Sequence, residues 1–99
     1  LKQALAIAQS IQNREGEAVA NLGLGFNYNR IGEPQEALTY YQQALPIWRE
    51  VRDRTWEATT LNNIGLVYSD IGEPQEALTY FQQALTISRE VRDRAGEAT

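Results

Sequence analysis

Closely spaced carboxylates are the residues of this 99-residue chain that first suggest catalytic chemistry. Glu33 and Glu36 lie three positions apart, and Glu73 and Glu76 repeat that spacing. Two carboxyl groups at such a distance can serve as general acid and general base. Both pairs, however, lie where a helix is predicted to begin, and acidic side chains in a first turn are stabilised by the helix dipole. We therefore interpret both pairs as helix-start residues.

Nucleophilic catalysis lacks a base in this sequence. The chain contains no Cys, His or Met, which excludes thiol chemistry, imidazole ligands and imidazole general bases. Ser10, Ser69 and Ser88 consequently have no activating partner. We predict a chain that is not an enzyme, with no catalytic residue, no metal and no cofactor. The missing cysteine fits a reducing compartment, so we expect a cytoplasmic protein.

The charge distribution argues against nucleic acid as a partner. The net charge is −4, whereas nucleic-acid binders usually present a net basic face. The arginines cluster in one hexapeptide, REVRDR, which occurs twice. Arg49 lies four residues before Asp53, and Glu50 four before Arg54, so we expect pairs within the segment and a compensated helix end. No apolar run approaches the ~20 residues that span a membrane, and no membrane contact is predicted.

A long internal repeat organises the chain. Residues 31–59 and 71–99 differ only at positions 41/81, 46/86, 48/88, 55/95 and 56/96. Such a period is typical of stacked supersecondary units. The first residue is Leu rather than Met, which favours a segment of a longer or trimmed protein.

Apolar residues recur at steps of three and four, which predicts amphipathic helices. Gly72-Glu73-Pro74 suits the end of one helix and the start of the next, and Asn13, Asp53 and Asp93 suit N-caps. The predicted helices cover 1–12, 14–31, 34–52, 54–71 and 74–92, with another beginning at 94. The corresponding division is 1–13 as the second helix of a partial repeat, 14–53 as repeat 1, 54–93 as repeat 2 and 94–99 as the start of a further repeat.

Three of the five residues that distinguish the first copy from the second lead to structural expectations. Pro46 lies inside a predicted helix, where it removes a hydrogen bond at a cost of ~3 kcal/mol and predicts a kink that the second copy lacks. Trp48 takes a core-facing position, so we expect it to be buried. Trp56 is expected to be a partly exposed anchor.

The spacing within each unit resembles the tetratricopeptide repeat. The second copy carries Leu61-x-x-Ile64-Gly65-x-x-Tyr68, Ala77-x-x-x-Phe81 and Ala84, and the first carries Asn21-x-x-Leu24-Gly25-x-x-Tyr28, Ala37-x-x-x-Tyr41 and Ala44. Two features depart from the family pattern: its large aromatic at the first motif position is Asn21 or Leu61, and its terminal Pro is Arg49 or Arg89. The forty-residue period is similar to the longer variant of kinesin light chains and cyanobacterial multi-repeat proteins.

The resemblance implies an all-α, right-handed superhelical solenoid of antiparallel helix pairs, with about two and a half repeats. Independently of the family, Gly25 and Gly65 predict close approach between the helices of a pair, where Ala77 and Ala84 are small. Each pair must stack to bury its apolar face, so the function must come from the exposed surface. We expect a non-catalytic scaffold that binds a peptide or partner protein; the alternative is an architectural or oligomerisation module of a larger protein.

In this family the first helices line the binding groove. Carried over by position, the groove residues are Val19, Leu22, Phe26, Asn29, Arg30, Thr59, Asn62, Asn63, Leu66, Ser69 and Asp70. Leu22, Phe26 and Leu66 are apolar yet fall off the core stripe, which is typical of interaction sites. The asparagine amides suit a peptide backbone. Alternatively, the amides are solvated and the leucines pack between neighbouring first helices. Arg30 is the one basic residue of the set, so no carboxylate clamp is predicted.

The ends of the stack lead to a further expectation. The helix at 74–92 carries the same Leu78, Phe81 and Leu85 stripe as an internal helix would, and no polar cap follows it. We expect self-association through the terminal helices, by end-to-end stacking or by exchange of a helix pair. We also expect marginal stability from so few repeats.

Overall fold

The computed structural model describes residues 2–97, with side chains described for residues 9–96. In this range the chain forms four α-helices and no strand: α1 at Lys2–Arg30, α2 at Pro34–Glu50, α3 at Arg54–Asp70 and α4 at Pro74–Glu97. The predicted all-α class is therefore confirmed. The helices predicted to end at residues 31, 52 and 71 end at Arg30, Glu50 and Asp70, which is one or two residues earlier.

The helices pack mainly in sequence order. α1 packs on α2 and α3 on α4, α2 joins the two pairs by packing on α3, and α1 touches α3 marginally. Over the described residues α4 contacts neither α1 nor α2. This layered arrangement is that of a helical repeat, in which each pair packs only on its neighbour.

The repeated decapeptide forms the same helix-ending motif in both copies. Gly32 and Gly72 adopt positive φ angles of 85° and 83°. The amide of Glu33 donates to the Tyr28 carbonyl at 2.8 Å, and Glu73 donates to Tyr68 at the same distance. This is the Schellman arrangement, for which glycine is favoured at the left-handed position. Pro34 and Pro74 then begin the next helices, as predicted.

One glycine in each helix pair allows its two helices to approach closely. A Cβ on Gly25 would lie 2.6 Å from the Tyr41 ring, and one on Gly65 would lie 2.7 Å from the Phe81 ring. The close approach predicted for these glycines is confirmed. Its main partner is the aromatic ring of the second helix, although Ala77 also approaches Gly65 through its carbonyl oxygen.

The main core lies between the two pairs and includes Leu38, Leu45, Leu61, Ile64 and Val67. A smaller cluster joins Ala18, Ala44, Ile47 and Trp48. Trp48 is 1% exposed and Trp56 is 42% exposed, which confirms both expectations. The two indoles stack with their centroids 5.7 Å apart across the turn between α2 and α3.

The predicted helix break at residue 13 is wrong. α1 continues without interruption from Lys2 to Arg30, so Asn13 lies inside a helix and is not an N-cap. Ile11, Gln12 and Asn13 are exposed, whereas Arg14, which follows them, is half-buried. No described helix covers Ile11, Gln12 or Asn13 to hold a turn, so the local helical hydrogen bonds prevail.

The predicted break at residue 93 is also wrong, because α4 continues through Asp93 to Glu97. Its counterpart Asp53 behaves as predicted: the carboxylate accepts from the Trp56 amide at 3.1 Å and caps α3. Residues 51–53 of REVRDR thus form a turn in the first copy, whereas the equivalent residues 91–93 are helical in the second. The hexapeptide is identical in the two copies, so contacts made outside it select the turn: the stacking of Trp48 on Trp56 and the packing of α3 on α2.

Pro46 lies within α2, which continues past it to Glu50. The kink expected at this proline, the right-handed sense of the stack and the repeat boundaries at 14, 54 and 94 stay predictions. Of the terminal segments, Leu1 and residues 98–99 lie outside the described residues.

Candidate functional site

The predicted groove residues lie on α1 and α3, most of them at equivalent positions of the repeat. Val19, Phe26 and Arg30 on α1 correspond, forty residues later, to Thr59, Leu66 and Asp70 on α3. Spacings of three, four and seven residues place each set along one side of its helix. The first helices of the two repeats contact each other, which brings the two sets onto neighbouring elements.

Large apolar side chains on these sets are exposed. Phe26 is 60% exposed, Val19 54% and Leu66 46%. Phe26 and Leu66 occupy equivalent positions, so the repeat presents an apolar side chain to solvent twice. Exposed apolar groups grouped on one surface are typical of interaction sites.

Leu22 differs from the other two apolar groove residues. It is partly buried and packs against the main core, as the alternative of packing leucines expected. Leu66 does not follow that alternative, because it stays largely exposed, and Phe26 is exposed as well. The apolar part of the candidate groove is therefore narrower than the sequence indicated.

The amides of Asn62 and Asn63 make no side-chain hydrogen bond within the described part of the chain, with Asn62 exposed and Asn63 half-buried. The hydroxyl of Thr59, by contrast, donates to the Thr55 carbonyl at 3.1 Å. The amides keep both donors and acceptors available for a ligand backbone. Arg30 and Asp70 place one charge of each sign at the far end of the groove.

A second concave surface lies between α3 and α4. A depression of about 620 Å³ is lined by Thr55, Ala58, Thr59, Asn62, Phe81, Ala84, Leu85, Ser88 and Val91. Of the predicted groove residues it includes Thr59 and Asn62 only. The replacement of the bulky Trp48 of the first copy by Ser88 is the sequence feature that could have indicated this depression.

Arg14 and the REVRDR residue Arg54 each form one ion pair between helices and one within their own helix. Arg14 on α1 bonds Glu50 on α2 at 2.9 Å and Glu17 at 2.7 Å. Arg54 repeats this pattern with Glu57 and Glu90. The hydrogen bonds that Arg14 donates to the Glu50 carboxylate raise the pKa of Arg14 above its ordinary value.

The expected pairs of Arg49 with Asp53 and of Glu50 with Arg54 are wrong, because the turn at 51–53 separates the members of each pair. Arg49 instead crosses to Glu57 on α3, at 3.0 Å. Arg49 and Arg54 are thus compensated by carboxylates of neighbouring helices, in keeping with a structural role for these two arginines.

The carboxylate pairs lie at helix starts, as the sequence indicated. Glu33 is the N-cap residue of α2, and Glu36 and Glu76 lie in the first turns of α2 and α4. Within the described range no group of His, Cys, Asp and Glu is arranged to hold a metal ion. Over the same range no helix is both long and apolar enough to cross a membrane.

Comparison with known proteins agrees with the geometry. The family model of the tetratricopeptide repeat matches residues 16–90, which include most of the helical stack. Repeats of this family generally mediate protein–protein interaction and are typically non-catalytic. No curated protein matches the chain. On the family match, the shared motif spacing and the stacked helix pairs, this chain belongs to the tetratricopeptide repeat family.

Proposed function

We propose that the chain is a non-catalytic scaffold that binds an extended peptide, or an extended segment of a partner protein, along the groove formed by α1 and α3. The proposal places it in the cytoplasm, in keeping with the complete lack of cysteine in the sequence. The acidic net charge favours a protein ligand over nucleic acid.

The exposure of Phe26 and Leu66 at equivalent positions of two successive repeats is the observation that carries this proposal. An extended peptide places alternate side chains on the same side, so two apolar positions on neighbouring helices suit two of its residues. Asn62 and Asn63 lie beside Leu66 on α3, where their amides can pair with the peptide backbone.

The charged residues of the groove indicate which peptides are disfavoured. Arg30 is the one basic residue among the groove positions, and Asp70 is its acidic counterpart. A cluster of guanidinium or ammonium groups is what a strongly acidic peptide needs for recognition. We therefore expect a ligand with apolar anchors and little net charge.

Selection from a displayed library of random peptides tests the proposal. Peptides that bind the chain are expected to carry apolar residues, and binding is expected to weaken at least tenfold in Phe26→Ala and in Leu66→Ala, since buried anchors dominate binding energy. Leu78→Ala is the matched control: this leucine is 56% exposed but lies on α4. Equal binding by all three variants, each with unchanged helicity, would contradict the groove.

A second candidate function is oligomerisation. Leu78 and Leu85 on α4 are 56% and 47% exposed, whereas their counterparts Leu38 and Leu45 on α2 are 6% and 8% exposed. The first-copy leucines are covered by α3, and no described helix covers those of the second copy. An uncovered apolar face of this kind favours association between chains.

A further inference from the structure

We propose that the uncovered face of α4 binds α1 of a second copy of this chain, head to tail, in the register that α3 uses to pack on α2. This inference rests on the oligomerisation role above and is independent of the peptide groove. The joint between α2 and α3, called the internal joint below, shows what the α4 face accepts.

The α2 side of the internal joint is found by comparing equivalent residues. Leu38 and Leu45 are buried, and the same residues in the second copy, Leu78 and Leu85, are exposed. The two copies are identical in sequence at these positions and differ in whether a further helix of the described residues packs on them. These leucines therefore face the next repeat.

The α3 side is found in the same way. Thr60, Ile64 and Val67 are all 0% exposed. Their counterparts on α1 are Ala20, Leu24 and Asn27, all of which are exposed. The outer side of α1 thus corresponds to the surface of α3 that packs on the preceding pair, and it is available to a second copy.

The charges of the two free surfaces also match. In the internal joint Arg49 of α2 bonds Glu57 of α3. The equivalent residues are Arg89 on α4 and Glu17 on α1, and Arg89 has no ion pair within the described residues. Glu17 pairs with Arg14 just as Glu57 pairs with Arg54, so a second copy can offer its carboxylate to Arg89 without breaking that pair.

The continuous helices at both ends are compatible with this joint. In the internal joint a turn at 51–53 links the two helices, whereas α4 continues to Glu97 and α1 begins at Lys2. If α1 of one copy packs antiparallel on α4 of another, both extensions leave the joint in the same direction. Neither extension then crosses the contact surface.

The proposed joint is weaker than the internal one. The stacked pair of Trp48 and Trp56 is replaced by Ser88 and Gly16, and Asn27 takes the place of Val67. Loss of a buried aromatic pair removes much of the contact area. We therefore expect association at concentrations of about 0.1–1 mM rather than at nanomolar protein.

The test uses two variants that each block one surface. Leu78→Glu/Leu85→Glu blocks α4 and Leu24→Glu blocks α1; because the leucines are 40–56% exposed, both variants are expected to fold, which circular dichroism checks. By sedimentation velocity, the wild type is expected to form dimers and longer stacks as its concentration rises, and each variant alone stays monomeric. An equimolar mixture is expected to give a 1:1 dimer and nothing longer, because one intact α4 face meets one intact α1 face.

Several outcomes would overturn the proposal. The wild type could stay monomeric at millimolar concentration. Leu24→Glu alone could associate, through a symmetric α4 contact. The mixture of the two folded variants could stay monomeric. Leu66→Glu, in the groove, is the matched control and is expected to associate as the wild type does. Loss of association in this control would point to the groove instead.

A charge exchange tests the register. Arg89→Glu and Glu17→Arg are each expected to weaken association roughly three- to tenfold, in line with the modest coupling of exposed ion pairs. The two changes in one chain bring opposite charges together again across the joint and are expected to restore association. Failure of the double variant to recover, with helicity unchanged, rejects this register.

Discussion

Glu57 is the only acidic side chain that is buried among residues 9–96. Its carboxylate is 4% exposed and bonds Arg49 at 3.0 Å and Arg54 at 2.8 Å. A buried carboxylate depends on such partners, because an unpaired charge is costly to remove from water. Glu57 therefore ties α2 to the first turn of α3.

Glu57→Gln is expected to lower the free energy of unfolding by about 1–3 kcal/mol, the range for hydrogen bonds that involve charged groups. The matched control is Glu17→Gln, since Glu17 holds the same repeat position but its side chain is 55% exposed. We expect that change to cost under about 1 kcal/mol, as for surface pairs. Urea denaturation of both variants measures the difference, and equal losses would refute the role of burial.

Tyr41 gives the protein a pH dependence in the alkaline range. Its side chain is 2% exposed, and burial raises the pKa of the phenol above its ordinary value. Above pH ~10 the unfolded chain releases this proton while the folded chain keeps it, so the unfolded state binds fewer protons and stability falls as pH rises. The contribution is present below that pH and lost as pH passes through the folded-state pKa.

Tyr41→Phe is expected to reduce this alkaline loss of stability. Phe81 holds the equivalent position, packed on its own glycine, so the core accepts the change. Thermal unfolding followed between pH 8 and about 11 is the measurement. Parallel pH profiles for the variant and the wild type would assign the loss to other groups; Tyr68, whose pKa burial also raises, is the next candidate.

At the scale of the elements, the two REVRDR segments show how packing selects a backbone conformation. Arg52 in the turn has a φ of 62°, which is unfavourable for any residue with a Cβ. Arg92 has the same neighbours in sequence but lies inside α4. The turn is thus held against local preference by the contact of α3 with α2.

A pair of glycine substitutions measures this preference. Arg52→Gly is expected to stabilise the protein by about 0.5–1 kcal/mol, since glycine adopts the left-handed conformation without steric cost. Arg92→Gly is expected to destabilise α4 by about 0.5–1 kcal/mol, because glycine is a poor helix residue. Chemical denaturation with helical circular dichroism gives both values. Changes of the same sign in the two variants would contradict the assignment of turn and helix.

The sequence predicts those elements whose boundaries are set locally. Helices end just before Gly32 and Gly72, and the next ones begin at Pro34 and Pro74. Both effects are local, because they come from the φ preference of glycine and from the amide hydrogen that proline lacks. Asn13 and Asp93 are capable caps, yet neither caps a helix, because the turn also requires a neighbouring helix to pack against. Composition at the junction could not reveal that requirement.

The sequence predicts the exposure of the apolar groove residues only in part. Exposure of Phe26 and Leu66 follows from their place off the core stripe of each helix. Leu22 lies off that stripe too, but it packs on the core that forms between repeats. Contacts between repeats depend on the relative orientation of neighbouring helix pairs. The hydrophobic periodicity of a single helix does not predict that orientation.

For the whole molecule, we expect thermal unfolding with a midpoint well below 90 °C, the usual limit for hyperstable proteins. A chain of 99 residues has a small core, and here part of the apolar surface of α4 stays uncovered. Heating monitored at 222 nm gives the midpoint. A midpoint above about 90 °C would refute this expectation.

The stacked indoles offer a built-in spectroscopic reporter. Trp48 and Trp56 are the only tryptophans of the chain, and they face each other across the turn between the helix pairs at 5.7 Å. At that separation their excited states couple, so the tryptophan bands of the near-ultraviolet dichroism and the tryptophan emission both originate at this one contact. Separation of the two pairs will change the emission even while every helix persists. Fluorescence therefore reports the separation of the repeats, and far-ultraviolet dichroism reports the unfolding of the helices. A difference between the two unfolding curves shows that the repeats separate before or after the helices unfold.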